Sequence, residues 1–218
     1  TNQKKLNLLK MHFLITAGGT REYIDPVRFV SNASSGRMGY ALAVAARDMG
    51  AEVLLVSGPV DLPPVAGCRL VEVSTAEEML AVLSKEAPGS DYLFMAAAVA
   101  DFRPAAPAAE KIRRKGQPKT LALEPAPDVL ATLRGDFDGR IIAFSLQPDA
   151  DLATAREKLK DKGADYIVVN NFNEPGAAFE SETNHVWILS ADSTEQEIPL
   201  SSKEEVAREI LKFVAPAD

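Results

Sequence analysis

Short apolar segments alternate with amphipathic segments along most of the chain. Six of the apolar segments are rich in β-branched, aliphatic and aromatic residues, which is typical of strands. These predicted strands are His12–Thr16, Val53–Val56, Leu70–Val73, Tyr92–Ala96, Ile141–Phe144 and Tyr166–Val169. The alternation with helical segments indicates a parallel sheet that is covered by helices on both faces.

The strongest helical pattern lies in Gly36–Met49, where Leu42, Ala45, Ala46 and Met49 share one face. Four more helices are predicted over Ala76–Lys85, Asp128–Leu133, Asp151–Lys162 and Ser202–Val214. The last strand-like segments, His185–Leu189 and Gln196–Leu200, flank a polar turn and predict an antiparallel hairpin at the sheet edge. We therefore expect an α/β, three-layer Rossmann-like fold with a mostly parallel central sheet and a C-terminal antiparallel extension.

Composition narrows the class of protein. The chain has 218 residues with 24 Lys+Arg and 31 Asp+Glu. The resulting net charge of −7 argues against a general nucleic-acid binder.

We expect one domain over residues 1–218, with residues 1–10 as an N-terminal extension. The apolar runs are too short for a membrane span and no targeting segment is visible, so a cytoplasmic protein is expected. One cysteine and two histidines exclude a disulfide framework and a Cys/His zinc cage.

Two polar, glycine-containing segments are candidate phosphate sites. Gly18 and Gly19 follow the first strand, where they either admit a ligand or simply form a turn. The segment Ser31–Gly39 opens the strongest helix, and free amides at a helix start favour an anion. Alternatively, Ser34 or Ser35 is only the N-cap of that helix. The spacing matches neither a dinucleotide fingerprint nor a P-loop, so a different phosphate or nucleotide site is predicted.

Further candidates follow in the middle of the chain. In Ala96–Pro104, small residues leave room for a flat ligand and are followed by Asp101, which can help to hold a metal–nucleotide or can cap a turn. Residues 104–118 are predicted to be a mobile active-site loop. Its cations, Lys111 among them, either close over phosphates or form an ordinary solvated surface. Lys158 and Lys162 share one helix face and can add two cations.

Taken together, these segments resemble the phosphopantothenoylcysteine synthetase family, over about residues 11–214. The resemblance rests on several ordered motifs: Ile15–Arg28, Ser31–Gly39, Val56–Val60, Ala96–Pro104, Glu110–Ile112, Pro127-Asp128 and Asn170–Asn184. In many bacteria this unit is fused behind a flavin-dependent decarboxylase, so we expect either a free-standing synthetase or a domain of a longer protein.

The resemblance implies a ligase that joins 4′-phosphopantothenate to cysteine through an acyl nucleotide, using CTP or ATP and Mg²⁺. Asn32 matches the residue that holds this intermediate, and Lys111 matches the loop lysine that assists its formation. Nucleotide-binding positions correspond to Ala97, Asp101, Lys111, Ala126, Pro127, Asp128, Val129, Phe144, Lys158 and Lys162. We expect a homodimer, and hypothesise phosphate or substrate contacts from Gly18, Gly19, Ser34, Ser35, Gly36 and Arg37.

Two departures from the family pattern concern the nucleotide. Ala126 stands where the family has asparagine, and Gln147-Pro148 replaces an acidic Glu-Thr pair. CTP is favoured because Pro127-Asp128 follows the bacterial pattern, and the metal ligands are not assigned. The alternative is a non-catalytic regulatory module that binds a nucleotide or phosphopantetheine. A Rossmann-type oxidoreductase is disfavoured by the glycine spacing.

Overall fold

A computed structural model describes residues 11–114, 116, 119–147, 151–171, 173 and 181–215. The helices in these residues are α1 (Arg37–Met49), α2 (Ala76–Glu86), α3 (Val129–Arg134), α4 (Leu152–Asp161) and α5 (Lys203–Val214). The strands are β1 (His12–Ala17), β2 (Arg21–Tyr23), β3 (Phe29–Ser31), β4 (Glu52–Ser57), β5 (Arg69–Glu72), β6 (Tyr92–Met95), β7 (Phe102–Pro104), β8 (Leu123–Pro125), β9 (Arg140–Gln147), β10 (Tyr166–Asn171), β11 (Thr183–Ser190) and β12 (Glu195–Ser202).

Eight strands form the central sheet, in the order β12-β11-β10-β9-β6-β1-β4-β5. All neighbours from β10 to β5 are parallel, whereas β11 pairs antiparallel with both β10 and β12. The mostly parallel sheet and its C-terminal antiparallel extension are thus confirmed. Because parallel strands share one direction, the carboxyl ends of β1, β6 and β9 meet at one edge, where open α/β sheets bind ligands.

Helices cover both faces of the sheet, which confirms the three-layer architecture. On one face, Leu42 of α1 and Ile210 of α5 are fully buried in one apolar cluster with Ile15 of β1. On the other face, Leu83 of α2 packs in a second cluster with Leu14, to which α3 and α4 also contribute. Among the described residues, no helix is long and apolar enough to cross a membrane.

Two small hairpins outside the central sheet were missed by the sequence analysis. β2 pairs antiparallel with β3, and β7 pairs antiparallel with β8. The predicted loop 104–118 starts one residue too early, because Pro104 ends β7; residues 105–114 form neither helix nor strand. Residues 1–10, 115, 117 and 118 lie outside the described residues, and the mobility of the loop stays a prediction.

Candidate functional site

A cavity of about 720 Å³ lies at the carboxyl ends of β6 and β9, beside the start of α1. Its volume is within the range of small-molecule sites. Much of its wall comes from the start of α1, the segment after β6, the start of α3 and the lysine face of α4, and strands β9, β10 and β11 and the start of α5 also contribute. The predicted site residues among its lining are Asn32, Ser35, Gly36, Arg37, Ala97, Asp101, Ala126, Pro127, Asp128, Val129, Phe144, Lys158 and Lys162.

The start of α1 presents backbone amides to the cavity. Its N-cap is Gly36, which has a left-handed φ of 76°, and no side chain caps the helix. The alternative that Ser34 or Ser35 is the N-cap is therefore wrong. A Cβ on Gly36 would lie 2.7 Å from Val60 Cγ1, so glycine is required for both its conformation and its packing. With no acidic residue in the first turn, this 13-residue helix keeps a positive end that suits an anion.

The segment after β6 is held in place by buried threonines of the β1 strand and its following turn. The Ala97 amide donates to Thr16 Oγ1 and the Ala100 amide donates to Thr20 Oγ1, both at 3.0 Å. Both threonines are fully buried. Asn32 adds a contact from the other side, since its Nδ2 donates to the Val99 carbonyl at 3.0 Å. These bonds fix a wall of small side chains against which a flat group can lie.

The opposite wall combines an aromatic ring, a helix start and two cations. Asp128 is the N-cap of α3 and accepts from the Ala131 amide at 3.0 Å, so one of its carboxylate oxygens has a structural role. Phe144 lines the cavity from β9, and Lys158 and Lys162 line it from α4 and its C-terminal cap. The structure thus brings the predicted nucleotide-binding positions, except Lys111, onto the same cavity.

Four predicted site residues do not line this cavity: Gly18, Gly19, Ser34 and Lys111. A Cβ on Gly18 would lie 3.0 Å from the Gly58 carbonyl oxygen, and one on Gly19 would lie 2.6 Å from the Asn32 carbonyl oxygen. Close backbone approach therefore explains both glycines. Gly19 and Ser34 line a second cavity of about 340 Å³, which shares Asn32 and Ser35 with the first.

Lys111 is exposed, and the residue after it is bound to the turn between β2 and β3. The Ile112 amide donates to Asp25 Oδ2 at 3.1 Å, and Arg28 Nη2 donates to the Ile112 carbonyl at 2.8 Å. The Arg28 guanidinium beside the buried Asp25 holds the pKa of that carboxyl well below its usual range, with help from the Val27, Ile112 and Arg28 amides. The segment that carries Lys111 is thereby anchored, a role for Asp25 that the sequence analysis missed.

Three polar residues on the cavity wall were also missed: Asn170, Asn184 and Lys203. Lys203 is only 6% exposed, and burial lowers the pKa of its ammonium, as does the charge of Arg37. The Oδ1 atom of Asn170 is buried and has no hydrogen-bond partner among the described residues. For Lys203 the sequence did contain a signal, because a lysine at the first position of a helix opposes the helix dipole.

The carboxylates of Asp101 and Asp128 lie on the cavity wall and are the candidate ligands for the implied Mg²⁺. Among the residues that the structure describes, no group of three or more His, Cys, Asp or Glu could hold a metal ion. Mg²⁺ sites commonly need only one or two carboxylates, because substrate phosphates and water supply the other ligands. Asp101, which is exposed and lines the cavity, and the second oxygen of Asp128 fit that requirement.

Comparison with known proteins gives a match along nearly the whole chain. The protein family described as DNA/pantothenate metabolism flavoprotein C-terminal domain matches residues 8–217. The coenzyme A biosynthesis bifunctional protein CoaBC of Mycobacterium tuberculosis is 44% identical over 214 residues, covering 92% of this chain and 51% of that protein. The chain therefore spans about half the length of the curated relatives it matches.

Solved structures agree with this match. The crystal structure of the C-terminal domain of CoaBC superposes with a TM-score of 0.80 at 41% identity, covering 94% of this chain and 95% of that domain. A Cab2 mutant in complex with phosphopantothenate-cysteine superposes with a TM-score of 0.75 over 97% of this chain and 91% of that one. At 17% identity, the second likeness shows the fold alone.

Proposed function

The chain belongs to the DNA/pantothenate metabolism flavoprotein C-terminal domain family, and we propose that it joins 4′-phosphopantothenate to cysteine with a nucleoside triphosphate. One observation carries the proposal: all but four of the residues predicted for this reaction line a single cavity. That cavity combines cations, a positive helix end and a wall of small side chains. These are the features that a nucleotide with a charged phosphate tail requires.

The reaction has two steps. In the first, a carboxylate oxygen of phosphopantothenate bonds to the α-phosphorus of the nucleotide, the bond to the β-phosphate oxygen breaks, and pyrophosphate leaves. In the second, the cysteine amine attacks the acyl carbon, the bond from that carbon to the phosphate oxygen breaks, and the nucleoside monophosphate leaves as the amine loses a proton. The product is 4′-phosphopantothenoylcysteine.

Each wall of the cavity has a part in this chemistry. Lys158 and Lys162 offset the negative charge of the nucleotide, and the Phe144 ring offers an apolar surface to the base. Asn32, fixed by the Val99 carbonyl, contacts the acyl nucleotide. Mg²⁺, held by Asp101 and the phosphates, supplies further charge neutralisation when it is bound.

We propose CTP rather than ATP as the nucleotide. The Pro127-Asp128 pair that favours CTP lies on the cavity wall, as does Ala126. At the second departure from the family pattern, Gln147 is 4% exposed, donates to Ser145 Oγ at 3.2 Å and does not line the cavity, whereas Pro148 lies outside the described residues. The position of Gln147 gives no support to a non-catalytic module.

We also propose a homodimer in which Lys111 acts in the partner's cavity. Lys111 is anchored near the β2–β3 hairpin rather than on its own cavity. Most of the exposed large apolar side chains lie on the two small hairpins and the segments next to them, and such a patch marks a protein contact. They are Tyr23, Val27, Phe29, Phe102, Leu121 and Leu123. Phe102→Asp should give monomers in light scattering, whereas Leu200→Asp, an exposed apolar position on β12, should not.

The first step can be tested by pyrophosphate release with CTP, Mg²⁺ and 4′-phosphopantothenate in the absence of cysteine. We expect Lys162→Gln and Lys111→Ala to slow the release. Lys160→Gln is the matched control, because Lys160 lies on α4 but does not line the cavity. Release at an undiminished rate by Lys111→Ala would contradict the role of the loop. CTP binding without any release would instead favour the regulatory module.

A further inference from the structure

Asp25 is a buried carboxylate in the turn between β2 and β3, and it lines neither of the two cavities. Its Oδ1 atom accepts from the amides of Val27 and Arg28, each at 2.9 Å, and its Oδ2 atom accepts from the Arg28 side chain. These bonds lie within the turn and already satisfy the carboxylate. The turn therefore does not require the further bond that Asp25 Oδ2 accepts from the Ile112 amide, 87 residues away.

The same turn holds both polar backbone groups of Ile112. The Ile112 amide donates to Asp25 at 3.1 Å, and the Ile112 carbonyl accepts from Arg28 Nη2 at 2.8 Å. Because that guanidinium also pairs with Asp25, the three residues form a closed ring of hydrogen bonds. The Ile112 amide belongs to the peptide bond that follows Lys111. The ring therefore fixes the plane of that peptide, in which the Lys111 Cα lies.

A third contact holds the chain just before Lys111. The Ala108 amide donates to the Ile24 carbonyl at 2.9 Å. Residues 105–114 form neither helix nor strand, and Lys111 and Arg113 are exposed, so side-chain packing contributes little to the position of this segment. Ordering an exposed backbone costs conformational entropy. The hydrogen bonds to the β2–β3 turn therefore supply most of the restraint on Lys111.

We propose that Asp25 is a positioning residue for Lys111, which acts through the peptide bond between Lys111 and Ile112. This inference rests on the function proposed above, in which Lys111 assists the first step. A cation that stabilises a transition state is most effective when folding has already fixed its position, because no ordering is then needed during the reaction. Asp25 suits this role, since the Arg28 guanidinium keeps the pKa of the carboxyl low and the group stays charged at neutral pH.

Limited digestion with trypsin, which cleaves after Lys111, tests the anchor without reference to activity. In Asp25→Asn an amide group that cannot accept replaces one carboxylate oxygen. The bonds to Ile112 weaken, and cleavage after Lys111 should become roughly 10-fold faster. Cleavage after Lys160, an exposed residue of α4, reports unfolding of the domain and should accelerate much less. Equal acceleration at both positions, or none at Lys111, would overturn the assignment.

Pyrophosphate release at saturating CTP and 4′-phosphopantothenate tests the consequence for the reaction. Asp25→Asn should slow release roughly 10-fold or more. Its CTP affinity in calorimetry should fall no further than that of Lys111→Ala, because Asp25 does not line the cavity. A larger fall would indicate a distorted cavity and would overturn the assignment. Glu22→Gln is the matched control: it alters a buried carboxylate of β2 that accepts from the Ala76 amide at 2.9 Å, and it should release pyrophosphate like wild type.

A double-mutant cycle separates positioning from general damage. If Asp25 acts through Lys111, adding Asp25→Asn to Lys111→Ala should slow release by less than about twofold. The same loss in both backgrounds would overturn the assignment. If even the wild-type protein releases no pyrophosphate, the function proposed above fails, whereas the trypsin cleavage ratio still decides whether Asp25 holds Lys111 in position.

Discussion

The close contact between α1 and β1 gives a prediction that links packing to the cavity. Gly39 lies in the first turn of α1, and a Cβ on it would lie 2.6 Å from Ala17 Cβ and 2.7 Å from the Thr16 carbonyl oxygen. Both neighbours belong to β1, so the backbone cannot move aside as a flexible side chain would. Gly39→Ala therefore forces the helix away from the strand.

Two opposing effects determine how much Gly39→Ala changes the free energy of unfolding. Alanine is favoured over glycine inside a helix by about 1 kcal/mol. Overpacking of a tight site costs about 1–3 kcal/mol, and a backbone contact at this distance belongs at the upper end. The net loss in the free energy of unfolding is therefore about 1–2 kcal/mol. For a chain of this length, such a loss lowers the unfolding temperature by roughly 2–8 °C.

Thermal unfolding of Gly39→Ala, followed by titration with CTP, measures both consequences. We expect weaker nucleotide binding as well as a lower unfolding temperature, because the displaced helix takes the Gly36 and Arg37 amides away from the cavity. Gly135→Ala is the matched control: it has open space around its Cβ position and a φ of −67°, so it should be neutral or slightly stabilising. A Gly39→Ala protein as stable as Gly135→Ala would refute this reasoning.

Three further predictions concern the scaffold. Thr75→Ala removes a capping box with Glu78 and should cost about 1 kcal/mol in urea unfolding, whereas Thr75→Ser should be nearly neutral. Leu42→Ala empties a fully buried site and should cost about 2–5 kcal/mol in the same assay; a smaller loss would contradict the tight packing of α1. Asp25→Asn should be less stable than wild type at pH 7. Because the Asp25 pKa is lowered from its ordinary 3.8, this difference should shrink as the pH falls below about 3.8, and a difference independent of pH would contradict the ionised pair.

The central sheet and the strongest helix could be predicted because they depend on local periodicity. The β9 strand and α1 present apolar residues at regular spacing, and Asp128, Asp151 and Ser202, predicted as first helical residues, are N-caps that accept from helix amides. The short hairpins could not be predicted in this way. β2, β3, β7 and β8 have three residues each, too few to establish an alternating pattern, and they are stabilised by pairing with distant segments.

Residues that line the cavity could be predicted where ordered motifs contain them, and they were missed where only the folded chain brings residues together. Lys203 is 171 positions after Asn32 in the sequence, yet both line the same cavity. The role of Asp25 depends on a hydrogen bond to Ile112, 87 residues away. The glycines at positions 18 and 19 are closely approached by backbone atoms, and their phosphate contacts stay a prediction.

The most direct test of the proposed function is mass spectrometry of reactions that contain the protein, 4′-phosphopantothenate, cysteine and Mg²⁺, with either CTP or ATP. The account predicts 4′-phosphopantothenoylcysteine with equimolar pyrophosphate and CMP when CTP is supplied. Product formed with ATP but not with CTP would still support ligase activity, but it would contradict the proposal that CTP is the nucleotide. Absence of the product with both nucleotides would contradict the central claim that this cavity catalyses the ligation.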